Sequence, residues 1–346
     1  MALRLDQIDD FVTLTLNEFQ RLSWVDISLD LQAYVAMSRL LLSKKAIFEG
    51  GENIQWQVEV SHDTGSINTG LFAVDNINVT DHMRSATIPW TFQTVNYAYD
   101  QREDAFQSSA ARIVSLLKTR RQAALNKKAV GMESNFWNAP ANSTDQDEKL
   151  KPFGVDYWIQ KNSTTGFNGG NPSGFSGGAG GIDSTVDTNW ANWTAEYTNI
   201  TKTDLIRKWR EAATKTMFLA PFPFPNAEGG DSFAYYTNYD VLGILEELLE
   251  QQNESLGNDL ASKDGRTLFR SNPVIWAPFK DSDTTDPVYG INWGVFQPIF
   301  KSGEFMLESP PRQSSNQHRV REVHIDSSMN IRCLNRRRLF VVNKAA

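Results

Sequence analysis

Residues 86–134 read ATIPWTFQTVNYAYDQREDAFQSSAARIVSLLKTRRQAALNKKAVGMES, and within them the spacing of the apolar residues changes from that of a strand to that of a helix. Its first part, residues 86–99, alternates with a period of two and carries large apolar groups on both faces, which indicates a strand. Its second part, residues 103–134, repeats apolar residues at helical spacing, which predicts one long helix. At about 1.5 Å per residue such a helix would be roughly 45 Å long. A helix of this length is typical of an architectural spine.

A second alternating stretch lies N-terminal to this region, at residues 54–60. Together with residues 86–99 it predicts a long two-stranded hairpin over residues 46–99. Two strands alone are only marginally stable, and this hairpin has large apolar groups on both faces. We therefore expect the hairpin to pack on something outside itself and to be mobile in an isolated subunit. Trp90→Ala is then expected to impair assembly more than folding.

The remainder of the chain alternates between short elements and breaks. Residues 1–45 indicate an arm with helical content. Residues 138–192 indicate a flexible loop, because glycines are concentrated between 166 and 181 at a density that helices and strands do not tolerate. Short helices are predicted over residues 203–217 and 238–252. Prolines at 221, 223 and 225 then indicate a domain crossing, and strand-like alternation returns beyond residue 320.

The composition argues against several classes of function. The net charge is -7, whereas a dedicated nucleic-acid binder would normally carry a basic field. The single cysteine, Cys333, cannot form an internal disulfide. The chain shows neither a secretion signal nor an apolar run long enough for a transmembrane helix. The 10 Trp and 20 Phe residues suit either an aromatic core or subunit interfaces, and both interpretations stay open.

A search for catalytic motifs finds no convincing constellation. The chain has 4 His residues, and none stands in a metal-binding or nucleophile motif. We therefore predict no catalytic residues, no cofactor and no metal, although two acids that meet only in the fold would escape this search. Arg332 and Arg336–Arg338 form a basic cluster. The cluster is either a contact with acidic groups or packaged DNA, or a solvated strand end, and the residues do not decide between the two.

The order of these elements resembles the major capsid proteins of tailed double-stranded DNA bacteriophages. That family has the Hong Kong 97-type fold, which is an α+β fold. The resemblance covers nearly the whole chain and is a pattern of organisation more than a fingerprint. Its most telling local stretches are YAYDQ at 97–101, FRSNPVIWAP at 269–278, YGINW at 289–293 and NIRCLNRRR at 330–338.

The resemblance implies a division of the chain into five parts. In order, they are an N-terminal arm (1–45), an extended hairpin loop over the neighbouring subunit (46–99), a peripheral domain with spine helix 103–134 and glycine-rich loop 138–192 (100–220), an axial domain (221–322) and a return strand of the peripheral domain (323–346).

The resemblance also implies self-assembly into hexamers and pentamers of an icosahedral shell. Such a shell would enclose double-stranded DNA without sequence-specific binding and without a membrane. The expected location is the virion capsid, assembled in the host cytoplasm, with a scaffolding protein, a portal and decoration proteins as possible partners. Candidate inter-subunit contacts are Trp56, Trp90, Phe92, Tyr97, Arg336, Arg337 and Arg338.

Two other functions remain open at this stage. An encapsulin-like compartment shell would share the fold but enclose cargo protein. A secreted carbohydrate-binding protein would explain the tryptophans and the middle region rich in Asn, Gly and Thr. The absence of a secretion signal and the single long helix argue against the second alternative.

Overall fold

The computed structural model describes residues 46–48, 50–61, 70–71, 81–106, 116–141, 151–217, 233–253 and 267–345. These residues form a five-stranded sheet, a seven-stranded sheet and a two-stranded hairpin, with helices packed around them. The helices are α1 (Gln101–Phe106), α2 (Leu116–Trp137), α3 (Val155–Trp158), α4 (Leu205–Thr216) and α5 (Tyr239–Asn253). The strands are β1 (Ala46–Phe48), β2 (Asn53–Glu59), β3 (Met83–Pro89), β4 (Thr91–Asp100), β5 (Gly166–Gly169), β6 (Asn192–Tyr197), β7 (Phe233–Thr237), β8 (Leu268–Phe269), β9 (Asn272–Trp276), β10 (Val288–Asn292), β11 (Phe296–Glu308), β12 (Arg312–Gln313), β13 (Val320–Cys333) and β14 (Phe340–Lys344).

The long strand β13 is the centre of the five-stranded sheet. It pairs antiparallel with β4 along one side and with β11 and β12 along the other. Strand β1 then adds to β11 in parallel. Val323 and Ile325 of β13 lie opposite Tyr97 and Val95 of β4, and both β13 side chains are buried. Helix α2 lies along β4. Because side chains alternate between the two faces of a strand, every second side chain of β4 and β13 lies on the face that α2 covers.

The seven-stranded sheet has the order β5-β6-β14-β10-β7-β9-β8. Every residue of β7 and β10 is buried, which is typical of strands covered on both faces. One face packs against α4 and α5, through Trp209 and Leu245 among others. The other face packs against the end of α2, where Phe136 and Trp137 lie, and against residues of the 153–182 segment. The sheet is therefore the middle of three layers.

Residues 86–99 form two strands with different partners, not one side of a long hairpin. Strand β3 ends at Pro89 and pairs with β2, whereas β4 begins at Thr91 and pairs with β13. Proline has no N–H for a sheet ladder, which makes this a natural point of separation. The expectation of a hairpin that needs an external surface is therefore wrong for residues 91–99, because β4 finds its partner in the same chain.

The prediction of a flexible loop is also wrong for residues 151–192. Phe153, Trp158 and Ile182 are buried in the core, and the region includes α3 and β5. Glycines allow the tight turns between these elements: Gly178 and Gly180 have φ values of 81° and 67°. Glycine density here reflects close packing and left-handed turns.

The C-terminal residues are shared between the two sheets. Strand β14 lies between β6 and β10 in the seven-stranded sheet, while β11 and β13 pair in the other sheet. Each sheet thus pairs strands that the predicted grouping separates: β11, assigned to the axial domain, pairs with β13, and β10, also assigned to the axial domain, pairs with β14 of the peripheral domain. The domain division itself stays a prediction. The arm at 1–45, the prolines at 221–225 and the middle of the spine helix at 107–115 lie outside the described residues.

Candidate assembly surfaces

A polar cluster ties the spine helix α2 to the five-stranded sheet. Tyr97 Oη donates a hydrogen bond of 2.6 Å to Glu308 Oε1, and Arg121 Nη2 donates one of 2.8 Å to Glu308 Oε2. The hydrogen bond from Arg121 holds the pKa of the Glu308 carboxyl below its usual value. Burial, and then the bond to Glu308, raise the pKa of Tyr97 to about 12. At neutral pH the cluster is therefore a tyrosine hydroxyl and a guanidinium sharing one carboxylate.

The sequence did not indicate that Tyr97 would contact Arg121 and Glu308. Arg121 and Glu308 are 187 residues apart, so no local spacing connects them. Tyr97 itself is only half-buried and lies among charged groups at the surface. Its role as an inter-subunit contact stays a prediction.

Arg336 lies wholly inside the subunit. Its side chain is fully buried and donates to the carbonyl oxygens of Trp158 and Trp190 at 2.9 Å each, and of Gly170 at 3.1 Å. A fourth bond of 3.2 Å reaches Asn192 Oδ1. Burial lowers the pKa of Arg336 to about 10, which leaves the guanidinium charged at neutral pH. Neither a surface contact nor a solvated strand end describes this residue: it has an internal structural role.

The other two arginines of the cluster keep some exposed surface. Arg337 stacks over the ring of Phe167, with 4.3 Å from the guanidinium carbon to the ring centroid, and hydrogen bonds to the side chain of Asn189. Arg338 is also partly exposed. A contact of Arg337 or Arg338 with a neighbouring subunit stays a prediction.

Two of the predicted aromatic contacts belong to the core of this subunit. Trp56 is 8% exposed and packs against Trp158, with ring centroids 6.1 Å apart. Trp90 is 5% exposed, and its indole N–H donates to the carbonyl oxygen of Gly51 at 3.0 Å. Phe92 differs, since it is 54% exposed on the open face of β4. Among the aromatic candidates, Phe92 offers the largest apolar surface to a neighbour.

The base of the β2–β3 hairpin is hydrogen-bonded to the glycine-rich segment. Thr87 N–H donates to the carbonyl oxygen of Gly180 at 2.8 Å, and Gly180 N–H donates to Tyr157 Oη at 2.8 Å. A Cβ on Gly180 would meet the Trp158 ring at 3.3 Å. The hairpin base is thus continuous with the subunit core.

Three features of the described residues bear on function: groups that could bind a metal, helices that could cross a membrane, and the thiol of Cys333. They contain no group of three or more metal-binding side chains, and none of their helices is long and apolar enough to cross a membrane. Cys333 is buried, and burial raises the pKa of its thiol to about 12, so the reactive thiolate is scarce at neutral pH.

Solved capsid structures share this fold over nearly the whole chain. A chain of the cyanophage A-1(L) capsid superposes with a TM-score of 0.60 at 13% identity, covering 95% of this chain and 98% of that chain. A chain from the capsid of an empty GTA particle gives 0.59 at 14% identity, covering 94% and 95%. The capsid of Myoviridae phage XM1 gives 0.55 at 9% identity, covering 95% and 97%.

Comparison of the sequence with known families and proteins finds no match. No protein-family model matches the chain, and no curated protein matches it. At such low identities the structural likeness shows the fold alone. The chain has the fold of tailed-phage capsid subunits, and the predicted Hong Kong 97-type α+β fold is confirmed.

Proposed function

We propose that this chain is the major capsid protein of a tailed double-stranded DNA bacteriophage. Copies of it assemble into hexamers and pentamers of an icosahedral shell. The observation that carries the proposal is the extent of the likeness: 95% of this chain matches 98% of a capsid chain from cyanophage A-1(L). The match therefore includes both sheets and the spine helix rather than one shared module.

The physical properties of the surface support the same role. A closed ring requires two different patches on each copy, because each subunit meets its neighbour head to tail. The described residues carry exposed apolar side chains at separate places, among them Phe92 on β4, Val186, and Tyr239 on α5. The net charge of -7 suits a wall that encloses DNA without gripping it.

The proposal includes location and partners. The mature protein is part of the virion capsid, and assembly takes place in the host cytoplasm. A scaffolding protein, a portal and decoration proteins are the partners that such a shell uses. The role is structural and not enzymatic.

Negative-stain electron microscopy tests the proposal directly. The purified protein is imaged alone and after co-expression with a candidate scaffold, and circular dichroism confirms that it is folded. Closed particles, tubes or free rings are the expected result. A folded protein that stays monomeric under every condition would overturn the proposal.

A further inference from the structure

An open pocket of about 420 Å³ lies where α5 begins. It is lined by Tyr239, Asp240, Trp276 and Asp281. The rings of Tyr239 and Trp276 meet edge to face with centroids 5.8 Å apart, and Tyr239 is 62% exposed. The pocket therefore combines two aromatic walls with two carboxylates.

The Asp281 carboxylate is held in place by neutral donors. It accepts a hydrogen bond from Trp276 Nε1 at 2.8 Å and one from the backbone N–H of Tyr239 at 3.0 Å. The neighbouring Lys280 does not neutralise it, because its ammonium is buried against Asp156 at 2.7 Å. Asp240 has no ion-pair or hydrogen-bond partner among the described side chains. The pocket is thus negatively charged, and none of the described residues places a cation in it.

The exposed face of α5 continues this negative charge. Glu246 and Glu247 are both exposed, on the side of the helix away from buried Val241 and Leu245. The side chains that follow the pocket along α5 are therefore acidic too.

Helix α4, which packs on the same face of the seven-stranded sheet, has the opposite charge. Arg207 and Arg210 are exposed on the side away from buried Leu205 and Trp209. Neither guanidinium has a partner in the part of the chain that the structure describes. Arg270 adds a third cation beside this helix, through a 2.8 Å bond from its Nη1 to Thr214 Oγ1.

We propose that the pocket binds an arginine side chain, Arg207 or Arg210, from α4 of a second copy of this chain. The inference rests on the proposed function and names one contact within the shell. A guanidinium fits the chemistry: it stacks on aromatic rings and donates two parallel hydrogen bonds to a carboxylate. Tyr, Trp and Arg are also the residues most often found at the energetic centre of protein interfaces.

Each copy carries both halves of this contact. No hydrogen bond or ion pair joins either arginine to the pocket among the described residues, so the proposed contact is one between copies. Because the basic and acidic surfaces are different patches, the contact can repeat from copy to copy and close into a ring.

Two charge-reversed variants test the contact. The first, Arg207→Glu/Arg210→Glu, makes the α4 surface acidic, and the second, Asp240→Lys/Glu247→Lys, makes the α5 surface basic. Asp281 is left intact because it holds the backbone of Tyr239. Each variant alone should lose assembled oligomer by about tenfold or more, as expected for charge reversal at an interface centre.

Mixing the two variants is the decisive measurement. In a mixture the surfaces are complementary only between unlike variants, so six-membered rings can alternate the two whereas five-membered rings cannot. Assembly should therefore return as hexamers that contain both variants in equal amounts. Native mass spectrometry of the mixture gives that ratio, and negative-stain microscopy shows the particles. A control with the same charge change elsewhere, Lys118→Glu/Arg312→Glu, should assemble like the wild type.

The outcomes separate this contact from the shell function. If the wild type assembles and both variants assemble equally well, the arginine contact is refuted and the shell function stands. The contact is also refuted if the variants stay folded but mixing restores nothing. If the wild type forms no oligomer, the shell function itself fails.

Discussion

Two buried cations connect separate parts of this subunit. Lys128 of α2 is 0% exposed, and its ammonium donates to the carbonyl oxygen of Ile325 at 2.7 Å. Arg336 holds together the carbonyl oxygens of Trp158, Trp190 and Gly170. A buried charge is tolerated only where hydrogen bonds replace its water, and here backbone carbonyls supply most of them. Both residues therefore organise the core.

Arg336→Met should strongly destabilise the isolated subunit. The change leaves several buried carbonyl oxygens without this donor, and each buried acceptor left unsatisfied costs about 1–3 kcal/mol. Urea denaturation followed by tryptophan fluorescence measures the free energy of unfolding. Arg312→Met, at an exposed position of β12, is the control and should be nearly neutral. A loss for Arg336→Met no larger than the control's would contradict the internal role.

Lys128 should make stability depend on pH in the alkaline range. Burial lowers the pKa of Lys128 in the folded state to about 8, from its ordinary value of 10.5. Between these two pKa values the unfolded chain binds more protons than the folded chain, so the free energy of unfolding rises with pH. The cost of burying the charged Lys128 is full below pH 8 and disappears as the pH rises toward 10.5. Denaturation of the wild type and Lys128→Met from pH 7 to pH 10 measures the difference. A difference that is constant with pH would contradict the lowered pKa.

At the scale of elements, close backbone contacts decide how α2 ends. Gly154 lies against the carbonyl oxygens of Asn135, Phe136 and Asn138, where a Cβ would overlap these backbone atoms. Backbone atoms cannot rotate out of the way as a side chain can. The position thus requires glycine, and it connects the last turn of α2 to α3.

Gly154→Ala should therefore lower the thermal stability of the subunit. Overpacking of this kind costs about 1–3 kcal/mol, and here the obstacle is the main chain. Gly177→Ala is a matched control, because no atom lies within 4 Å of its Cβ position. Differential scanning calorimetry compares the two variants. Equal melting temperatures would show that the end of α2 can shift to accept a side chain.

Trp90 and Phe92 separate folding from assembly. Trp90→Ala should reduce the free energy of unfolding by about 3–5 kcal/mol, because it empties a buried site. This reverses the expectation from the sequence that Trp90 serves assembly first. Phe92→Ala should leave stability within about 0.5 kcal/mol, since the ring is exposed, but should reduce shell yield. Urea denaturation measures the stability of both variants, and particle counts measure their assembly. A Trp90→Ala subunit as stable as the wild type would contradict the place of Trp90 in the core.

In the whole molecule, the five-stranded sheet pairs strands that are far apart in sequence. Thr94 of β4 and Asp326 of β13 share a 2.7 Å hydrogen bond although they are 232 residues apart. Since β4 is covered by β13 on one side and by α2 along its length, it is part of the folded subunit before any assembly.

Hydrogen exchange on the isolated subunit tests whether β4 is folded before assembly. Those amides of residues 91–100 whose N–H points toward β13 are expected to exchange slowly, because opening them requires breaking the sheet. The expectation from the sequence was the opposite, that residues 86–99 are mobile until assembly. Rapid exchange of 91–100 in a folded subunit would restore that earlier view.

Local periodicity was sufficient to predict several helices and strands from the sequence alone. The apolar spacing of α2, α4 and α5 lies within each helix, and the alternation of β2, β4 and β13 lies within each strand, so their existence follows from periodicity. The order of these elements was also enough to indicate the capsid fold, which the solved structures confirm.

Which elements pair, and which side chains stay exposed, became apparent only in the folded chain. Pairing depends on contacts between distant residues, which no local period encodes. Hence Arg336 lay in a basic run that looked exposed and is fully buried, whereas Tyr239 and Trp276, far apart in the chain, line one pocket. Burial and charge environment arise when the two sheets pack, so candidate assembly surfaces could be identified only in the folded subunit.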